Sequence, residues 1–419
     1  MSLEKPELTL GFIPLSDCAP LIVAKARGLF ANEGLAVTLS REASWANVRD
    51  RLAAGLIDGA HMLGPMAVAQ SLGLGGEAAP ICVPMALNLG GSAITVSRRI
   101  AQDLRDIDAD GAADRAHAAR VLKRLIDQRR RKGQAPLTFA VVFPYSIHTY
   151  ELRYWLAAGG IDPDRDARLT VVPPPRMVEK LAAGEIDGFC VGAPWNALAV
   201  ERGLGEILLY ASEWWGAGPD KVFGVTRRWA RQHPETLQAL LRALLRAAAW
   251  ADRPENRSEL AALLAQPEHL GVPEEVVRHS LIGGPPLSPG APPREAGDYL
   301  IFHRHAASFP WRSHAQWFLT QMIRWGQAPR DASFAQAAAV YEPALYRQAA
   351  SAVGQSAPLI DAKPEGAHRT PWIQTGSASP IAMVPDAFFD GAIFDPSAPL
   401  AYIDTLPLGR AASEMGAAS

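Results

Sequence analysis

His303 and His305, in the stretch FHRHAASFPW, are two histidines whose spacing could serve a metal ion. If both side chains face one way from a strand, their ring nitrogens can ligate zinc or a similar ion. Such a site needs further ligands, and no third candidate stands close to them in the sequence. The pattern therefore favours structural or surface histidines over a metal site.

Motifs of common enzyme active sites are missing from the sequence. It contains no GxSxG nucleophile elbow, no HExxH zinc motif and no GxxxxGK[ST] phosphate loop. The three cysteines, Cys18, Cys82 and Cys190, are far apart and lack CxxC spacing, which indicates neither a disulfide framework nor a zinc site. We therefore predict a protein that is not an enzyme and that has no metal and no cofactor.

Composition limits the classes of partner. The 419 residues are 48% hydrophobic and carry a net charge of −2, so the overall field attracts neither nucleic acid nor an anionic membrane. RRRKG at residues 129–133 could contact RNA, but solvated charge at a helix end is the favoured interpretation. Without an apolar run of about 18 residues no transmembrane helix is predicted. The first residues lack the pattern of a secretion signal, which predicts a cytoplasmic protein.

One phrase occurs twice in the chain, as RLAAGLIDGAHMLGPM at Arg51–Met66 and as KLAAGEIDGFCVGAPW at Lys180–Trp195, with 8 of 16 positions identical. In each copy a helix-favouring run ends at a glycine suited to the left-handed conformation, and an apolar stretch follows Ile-Asp-Gly. Each copy therefore predicts a helix, a tight turn and a buried strand. The alternative is that the two copies are unrelated, and that a sequence favouring a helix followed by a strand occurs twice by chance.

The segments that precede each copy argue against chance. LTLGFIP, APLIVAKARGLFANEGL and AVTLS precede the first copy, and LTFAVVFP, IHTYELRYWLAAGG and ARLTVVPP precede the second. Both halves predict the same order of elements, β-α-β-α-β. This order predicts an α/β fold of two lobes, each a parallel-rich sheet flanked by helices, with a ligand in the cleft at the carboxyl ends of the strands.

Further patterns divide the chain into segments. SAITVSRR is interpreted as a strand leaving lobe 1, and KVFGVTRRW as one returning to it. We assign residues 1–97 to lobe 1, 98–222 to lobe 2, 223–349 to the return to lobe 1 with C-terminal helices, and 350–419 to an extended tail with little regular structure. Residues 98–134 predict a surface helix with Val121, Leu122 and Leu125 on its apolar face, and HPETLQALLRALLRAAAWA predicts a packing helix.

Six stretches carry a resemblance to one known family: SWANVRDRLAAGLIDGAHMLGPM, NLGGSAITVS, HTYELRYWLAAGGIDP, FCVGAPWN, PDKVFGVT and FPWRSHAQWFLTQMIRWG. They resemble, in the same order, the nitrate-binding proteins of ABC transporters and their relatives for nitrite, bicarbonate and cyanate. The resemblance runs from about Leu8 into the tail. It implies the periplasmic-binding-protein fold of type II, whose two lobes close over the ligand.

The resemblance also implies a ligand site. In nitrate binders of this family a tryptophan, an amide side chain, a histidine, a backbone glycine and a lysine hold the anion. Matching motifs place four of these at Trp45, His148, Gly192 and Lys221. Where the family has an amide, NLGGSAI has Ser92, with Asn88 close by.

These residue types suit a planar, weakly hydrated anion. Lys221 supplies charge, Trp45 and Ser92 one donor each, and His148 one or two. If both ring nitrogens of His148 donate, we expect affinity to fall as pH rises through its pKa. Taken singly, Trp45 would be a packing residue and Lys221 a surface lysine. Trp195 is either cleft wall or core.

The missing export signal, together with the resemblance, implies a cytoplasmic nitrate/nitrite sensor of the NasS type. Such a sensor holds an RNA-binding antiterminator of the NasT type until the anion arrives, and it does not contact nucleic acid itself. The alternative is the substrate-binding component of a nitrate/nitrite or bicarbonate ABC transporter. A third class, the pyrimidine-precursor synthases of this fold, carries a cysteine-rich motif that this sequence lacks.

Overall fold

The computed structural model describes residues 3–114, 117–294, 298–377 and 379–409. Up to the first crossing between its two main sheets, the elements are β1 (Glu7–Phe12), α1 (Ala19–Ala26), α2 (Leu29–Asn32), β2 (Ala36–Arg41), α3 (Trp45–Ala53), β3 (Gly59–Leu63), α4 (Gly64–Ser71), β4 (Ile81–Ala86) and β5 (Leu89–Gly90).

From the first to the second crossing the elements are β6 (Ser92–Ser97), α5 (Arg98–Ile107), α6 (Ala109–Ala113), α7 (Ala118–Arg131), β7 (Thr138–Val141), α8 (Ile147–Ala158), β8 (Arg168–Val171), α9 (Met177–Ala182), β9 (Gly188–Gly192), α10 (Trp195–Glu201), β10 (Gly205–Tyr210) and α11 (Ala211–Trp214).

After the second crossing come β11 (Lys221–Thr226), α12 (Arg227–Gln232), α13 (Pro234–Ala251), α14 (Arg257–Ala265), α15 (Glu274–Leu281), β12 (Leu300–Ile301), α16 (Arg312–Arg324), α17 (Phe334–Ala338), α18 (Pro343–Ala352), β13 (Trp372–Gln374), β14 (Ile381–Met383) and α19 (Pro399–Thr405). Short 3-10 helices cover Ser16–Cys18, Pro174–Arg176, Pro254–Asn256 and Arg304–Ala306.

Two five-stranded sheets form the centres of two lobes. The strand order is β2-β1-β3-β11-β4 in lobe 1 and β10-β6-β9-β7-β8 in lobe 2. In each lobe three strands joined by helices run parallel, and the other pairs are antiparallel. The predicted α/β fold of two lobes is therefore confirmed, and both halves show the β-α-β-α-β order.

The chain crosses to lobe 2 earlier than the sequence indicated. We assigned residues up to 97 to lobe 1, but β6 pairs with β9 and β10 and so belongs to the sheet of lobe 2. The chain turns at Gly90 and Gly91, whose φ angles are +68° and +87°, and a Cβ at Gly90 would lie 2.6 Å from the Tyr299 carbonyl oxygen. In the same way β11 already pairs in lobe 1 from Lys221, whereas we placed the return at residue 223.

The repeated motif forms the same pair of hydrogen bonds between neighbouring strands in both lobes. The Asp58 N–H donates to the Thr9 carbonyl at 2.8 Å, and the Asp58 carboxylate accepts the Thr9 N–H at 2.9 Å. Asp187 makes the matching pair with Thr138, at 2.7 and 2.9 Å. Each aspartate thereby ties the start of its own strand to the neighbouring parallel strand. The glycine that follows each helix has the predicted positive φ, +70° at Gly55 and +69° at Gly184.

Helices cover the sheets much as their apolar patterns predict. The segment 98–134 contains α5, α6 and α7 where one helix was predicted, and Val121, Leu122 and Leu125 are buried on α7. Residues 115 and 116 of this segment lie outside the described residues. The leucines of α13 are buried against the body of the protein. Within the described ranges, no helix combines the length and apolar character needed to cross a bilayer.

The tail packs where the chain returns from lobe 2 to lobe 1. Phe388 lies 4.6 Å from Trp215 and 6.0 Å from Trp317, measured between ring centroids, and it stacks on Tyr154 of lobe 2 at 6.1 Å. The backbone N–H of Phe389 donates to the Trp214 carbonyl at 2.9 Å. The tail therefore joins α8 of lobe 2, the crossing segment and α16.

Asp58→Ala tests the hydrogen bonds that the repeated motif makes between neighbouring strands. The change removes the acceptor of the Thr9 N–H and of the Trp229 indole N–H, which lies 3.0 Å from Asp58 Oδ1. Because each unsatisfied donor costs about 1–3 kcal/mol, we expect the free energy of unfolding to fall by roughly 2–4 kcal/mol in urea denaturation. Asp50→Ala, at an exposed position, is the control and should change it by less than about 0.5 kcal/mol. Equal midpoints for the two variants would contradict this role.

Candidate functional site

Helix N-termini from both lobes meet at one place between the sheets. Trp45 begins α3 of lobe 1 behind its N-cap Ser44, whose hydroxyl accepts the Asn47 N–H. His148 is the second residue of α8 in lobe 2, where Ser146 caps the helix in the same way. Serine at these positions satisfies backbone donors that a helix start leaves free, which fixes the two ring side chains beside the cleft.

Gly192 is the last residue of β9, at the carboxyl end of a parallel strand. A Cβ at this position would lie 3.1 Å from Asp17 Oδ2 and 3.6 Å from His148 Nε2. Glycine therefore keeps the space between lobe 1 and α8 clear of a side chain. Ser92 stands directly opposite Gly192 in the strand register.

Lys221 lies at the centre of this region and is fully buried. Its ammonium donates to Asp17 Oδ2 at 3.0 Å and to Asp220 Oδ2 at 2.5 Å. Its backbone N–H donates to Asn88 Oδ1 at 3.1 Å, and Asn88 Nδ2 donates to the Gly90 carbonyl. Asn88 therefore holds the crossing segment in place and has both ends of its amide engaged.

Aromatic rings surround the ammonium on the side of lobe 1. The Trp45 ring centroid is 5.8 Å from Lys221 Nζ and 5.3 Å from the ring of His61. The Ile13 N–H donates to His61 Nδ1 at 3.3 Å, so the proton of neutral His61 is on Nε2 and is donated to Asp17 Oδ1 at 2.7 Å. This tautomer engages the second oxygen of Asp17.

Two buried ring side chains at the site have nitrogen atoms without a hydrogen-bond partner in the described part of the chain. Neither Trp45 Nε1 nor either nitrogen of His148 has a hydrogen-bond partner among the described residues. His148 Nε2 is 3.7 Å from Asp220 Oδ2, beyond hydrogen-bonding distance. Buried polar groups are nearly always paired, so unpaired donors beside a buried ammonium indicate a place for an acceptor ligand.

Ser92 is close to the other candidates but its hydroxyl is engaged elsewhere. It donates to Glu151 Oε2 at 2.6 Å, and Cys190 Sγ lies 3.5 Å from the same oxygen. The structure thus brings Trp45, His148 and Gly192 around Lys221, whereas the Ser92 proton is directed to a carboxylate. One hydroxyl proton serves one acceptor, so in this arrangement Ser92 does not replace the amide of the family.

The surroundings of His148 favour its neutral form over the doubly protonated form that donation from both nitrogens would require. Burial lowers its pKa well below the usual value, and the Lys221 charge lowers it further. A neutral imidazole donates from one nitrogen only.

The two carboxylates beside Lys221 differ in their electrostatics. Burial alone would raise the pKa of Asp17, but Lys221 and His61 lower it to about 2. Burial raises the pKa of Asp220 to about 7, because the attraction of Lys221 does not offset it and Asp17 adds repulsion. Burial also disfavours the charged form of Lys221, yet the two carboxylates raise its pKa. The ammonium and Asp17 are therefore charged, whereas Asp220 titrates near neutrality.

Trp195 joins the lobes and is largely buried. Its indole N–H donates to the Pro14 carbonyl at 3.1 Å, so this side chain of lobe 2 contacts lobe 1. Beside it, the Ser16 N–H donates to the Ala193 carbonyl at 2.8 Å. These bonds join the two lobes beside the site.

His303 and His305 are far from metal-binding geometry. They flank Arg304 at a 3-10 turn, so the strand alternation that would align them does not apply. His305 Nδ1 bonds the Ala382 carbonyl at 2.7 Å. Across the residues that the structure describes, no three His, Cys, Asp or Glu side chains form a group that could hold a metal ion.

Sequence reasoning missed three acidic residues of the site, Asp17, Asp220 and Glu151. Asp17 follows the first parallel strand in LSDCAP, and Asp220 precedes the lysine in PDKVFG. A polar residue just after a parallel strand is a signal for a ligand site, which could have identified Asp17. The packing of α8 against the sheet of lobe 2, which brings Glu151 to Ser92, has no such signal.

Comparisons with known proteins show which family and which fold the chain shares. The model of the NMT1-like family matches residues 1–265. The chain is 36% identical over 413 residues to the nitrate/nitrite binding protein NrtA of Synechococcus elongatus, which is 96% of this chain and 86% of that protein. It is 32% identical over 416 residues to the bicarbonate transport ATP-binding protein CmpC of the same organism, covering 97% of this chain and 56% of that protein.

A solved structure is also similar over nearly the whole chain. The crystal structure of the periplasmic nitrate-binding protein NrtA from Synechocystis matches with a TM-score of 0.81 at 32% identity, covering 97% of this chain and 100% of that chain. The resemblance expected from six sequence stretches is therefore confirmed. The relatives are binding and transport components, which agrees with the expectation that the chain is not an enzyme.

Glu151→Gln tests the electrostatics beneath the site. Burial raises the pKa of Glu151 to about 7, against the lowering effect of the Ser92 hydrogen bond. The folded state thus binds this proton more tightly than the unfolded chain, and ionising Glu151 costs stability as pH rises from about 4.5 to about 7. We expect the variant to gain up to about 3 kcal/mol relative to the original protein between pH 5 and pH 8 in urea denaturation.

Glu185→Gln is the matched control for this experiment, because Glu185 is exposed and pairs with Lys180 at the surface. Its stability difference from the original protein should stay constant with pH. Parallel stability profiles for the Glu151 variant and the original protein would contradict a protonated Glu151 in the fold.

Proposed function

The chain belongs to the NMT1-like family, and on that premise we propose that it binds nitrate or nitrite between its two lobes as the substrate-binding component of an ABC transporter. The two forms of NrtA similar to it are nitrate- or nitrate/nitrite-binding proteins by name. That similarity extends over both lobes and so includes the residues on each side of the cleft.

One observation carries the proposal. Trp45 and His148 present buried ring nitrogens, without acceptors in the described part of the protein, beside the buried ammonium of Lys221. A planar monovalent anion has acceptor oxygens on every edge and no donor, so it suits N–H groups that converge from two lobes. Charge-assisted hydrogen bonds of this kind are the stronger ones in proteins.

Gly192 is consistent with a small ligand such as this anion. A Cβ at this position would lie 3.1 Å from Asp17 Oδ2, closer than ordinary van der Waals contact, and 3.6 Å from His148 Nε2. Such close surroundings favour a small ligand over one with a bulky substituent. The Trp195 contact across the cleft supports closure of the lobes over the ligand.

The role as a cytoplasmic sensor that holds a NasT-type antiterminator stays a prediction from the sequence. The named relatives support the transport role better, because they are a nitrate/nitrite binding protein and a bicarbonate transport ATP-binding protein by name. Size-exclusion chromatography of the protein with such an antiterminator distinguishes the roles. A complex that nitrate dissociates would favour the sensor, and separate elution would favour transport.

Calorimetric titration with nitrate, nitrite and bicarbonate tests the proposed ligand. We expect nitrate or nitrite to bind and Trp45→Phe to weaken that binding about ten- to a hundred-fold, because a hydrogen bond to a charged group contributes about 1.5–3 kcal/mol. Gly192→Ala should weaken it at least as much, because the added methyl group enters the space beside His148.

Gly76→Ala is the control for the added methyl group. Gly76 has no positive φ, and no described atom lies within 4 Å of the position of its Cβ. The nitrate affinity of the Gly76→Ala variant should equal that of the original protein. Binding of bicarbonate alone, or unchanged nitrate affinity in both site variants, would contradict the proposal.

A further inference from the structure

The charge at the site poses a problem for an anion. Two carboxylates, Asp17 and Asp220, already neutralise the one ammonium of Lys221, and all three side chains are buried. With both carboxylates ionised, this group carries one net negative charge before a ligand arrives. A bound anion would add a second net negative charge at a place that water does not reach, which is strongly unfavourable.

Asp17 and Asp220 are not equivalent in their bonding. Asp17 has both oxygens engaged, one by His61 and one by Lys221. Asp220 accepts from Lys221 through Oδ2, whereas its buried Oδ1 has no hydrogen-bond partner in the described residues. Asp220 is therefore the carboxylate that can accept a proton without breaking a hydrogen bond.

We propose that Asp220 takes up one proton when the protein binds its anion, and that it thereby acts as a positioning residue for the ligand. This inference rests on the proposed function, since it describes how the same site accepts nitrate. Ionised Asp220 competes with the anion for the Lys221 ammonium. Neutral Asp220 no longer competes, and its O–H becomes a donor toward the same small space.

The groups around Asp220 support this direction of proton transfer. The titratable or charged side chains that act on it come from five segments of the chain: Asp17, His148, Glu151, Cys190, Lys221 and Tyr299. His61 acts on it only through Asp17, to which it is hydrogen-bonded. Of these, Lys221 is the cation, and Asp17 repels the charged form of Asp220. Burial raises the pKa of Asp220 to about 7, so the proton is available near neutral pH.

A bound anion adds negative charge next to Asp220 and so favours its protonated form further. Two measurable results follow from this coupling. Close to one proton should be absorbed per nitrate bound at pH 8. The affinity for nitrate should fall about ten-fold for each pH unit above about 7, because the unliganded protein must first be protonated.

The experiment is isothermal titration of nitrate into the full chain at pH 8, in buffers of different ionisation enthalpy. Nitrate itself stays ionised throughout, so proton uptake reports on the protein. For the original protein we expect close to one proton per nitrate. Asp220→Asn should absorb none, and its affinity should stay level from pH 6 to pH 9, because the amide donates at every pH. Asp106→Asn, at an exposed position, should behave as the original protein.

The possible outcomes separate this inference from the function on which it rests. Nitrate binding without proton uptake would overturn the role of Asp220 and leave the proposed function standing. Equal uptake in Asp220→Asn would assign the proton to another group and also overturn it. Absence of nitrate and nitrite binding from pH 5.5 to pH 9 would overturn both. If Asp220→Asn does not fold, the buffer dependence of the original protein still decides whether a proton is absorbed.

Discussion

The pairing of the buried Lys221 ammonium with Asp17 and Asp220 is the interaction on which the site depends. Asp17 follows the first strand of lobe 1, whereas Asp220 and Lys221 stand where the chain returns from lobe 2. Removing one partner of a buried ion pair costs about 3–5 kcal/mol, because the other charge is left uncompensated. Lys221 is therefore a structural residue as well as a candidate ligand, and Trp45 and Gly192 probe binding more cleanly.

The duplicated architecture explains how one small site receives residues from the whole chain. Each β-α-β-α-β half places helix N-termini and strand ends at one edge of its sheet. The Ile-Asp-Gly phrase fixes the strands in register in both halves, through Asp58 and Asp187. The exchanged strands β6 and β11 then join the lobes, so the edges face each other and the donors of Trp45 and His148 converge.

The fold could be predicted because periodicity and the repeat report on local structure. The predicted boundary at residue 97 was wrong, because it placed β6 in lobe 1, whereas β6 pairs with β9 in lobe 2. Strand pairing depends on which sheet offers an open edge after the turn at Gly90 and Gly91, and the sequence does not show this. The sequence motifs identified Trp45, His148, Gly192 and Lys221 as neighbours. They did not reveal the charge balance, because the pKa values of Asp220 and His148 follow from burial and from partners distant in the sequence.

The most direct measurement of the central claim is a crystal structure of the protein with nitrate. The account predicts nitrate between the lobes, with an oxygen within about 3.2 Å of Lys221 Nζ and with Trp45 Nε1 and one nitrogen of His148 donating to it. Nitrate bound at another place, or a complex in which Lys221 keeps both carboxylates and none of these three side chains contacts the anion, would contradict it.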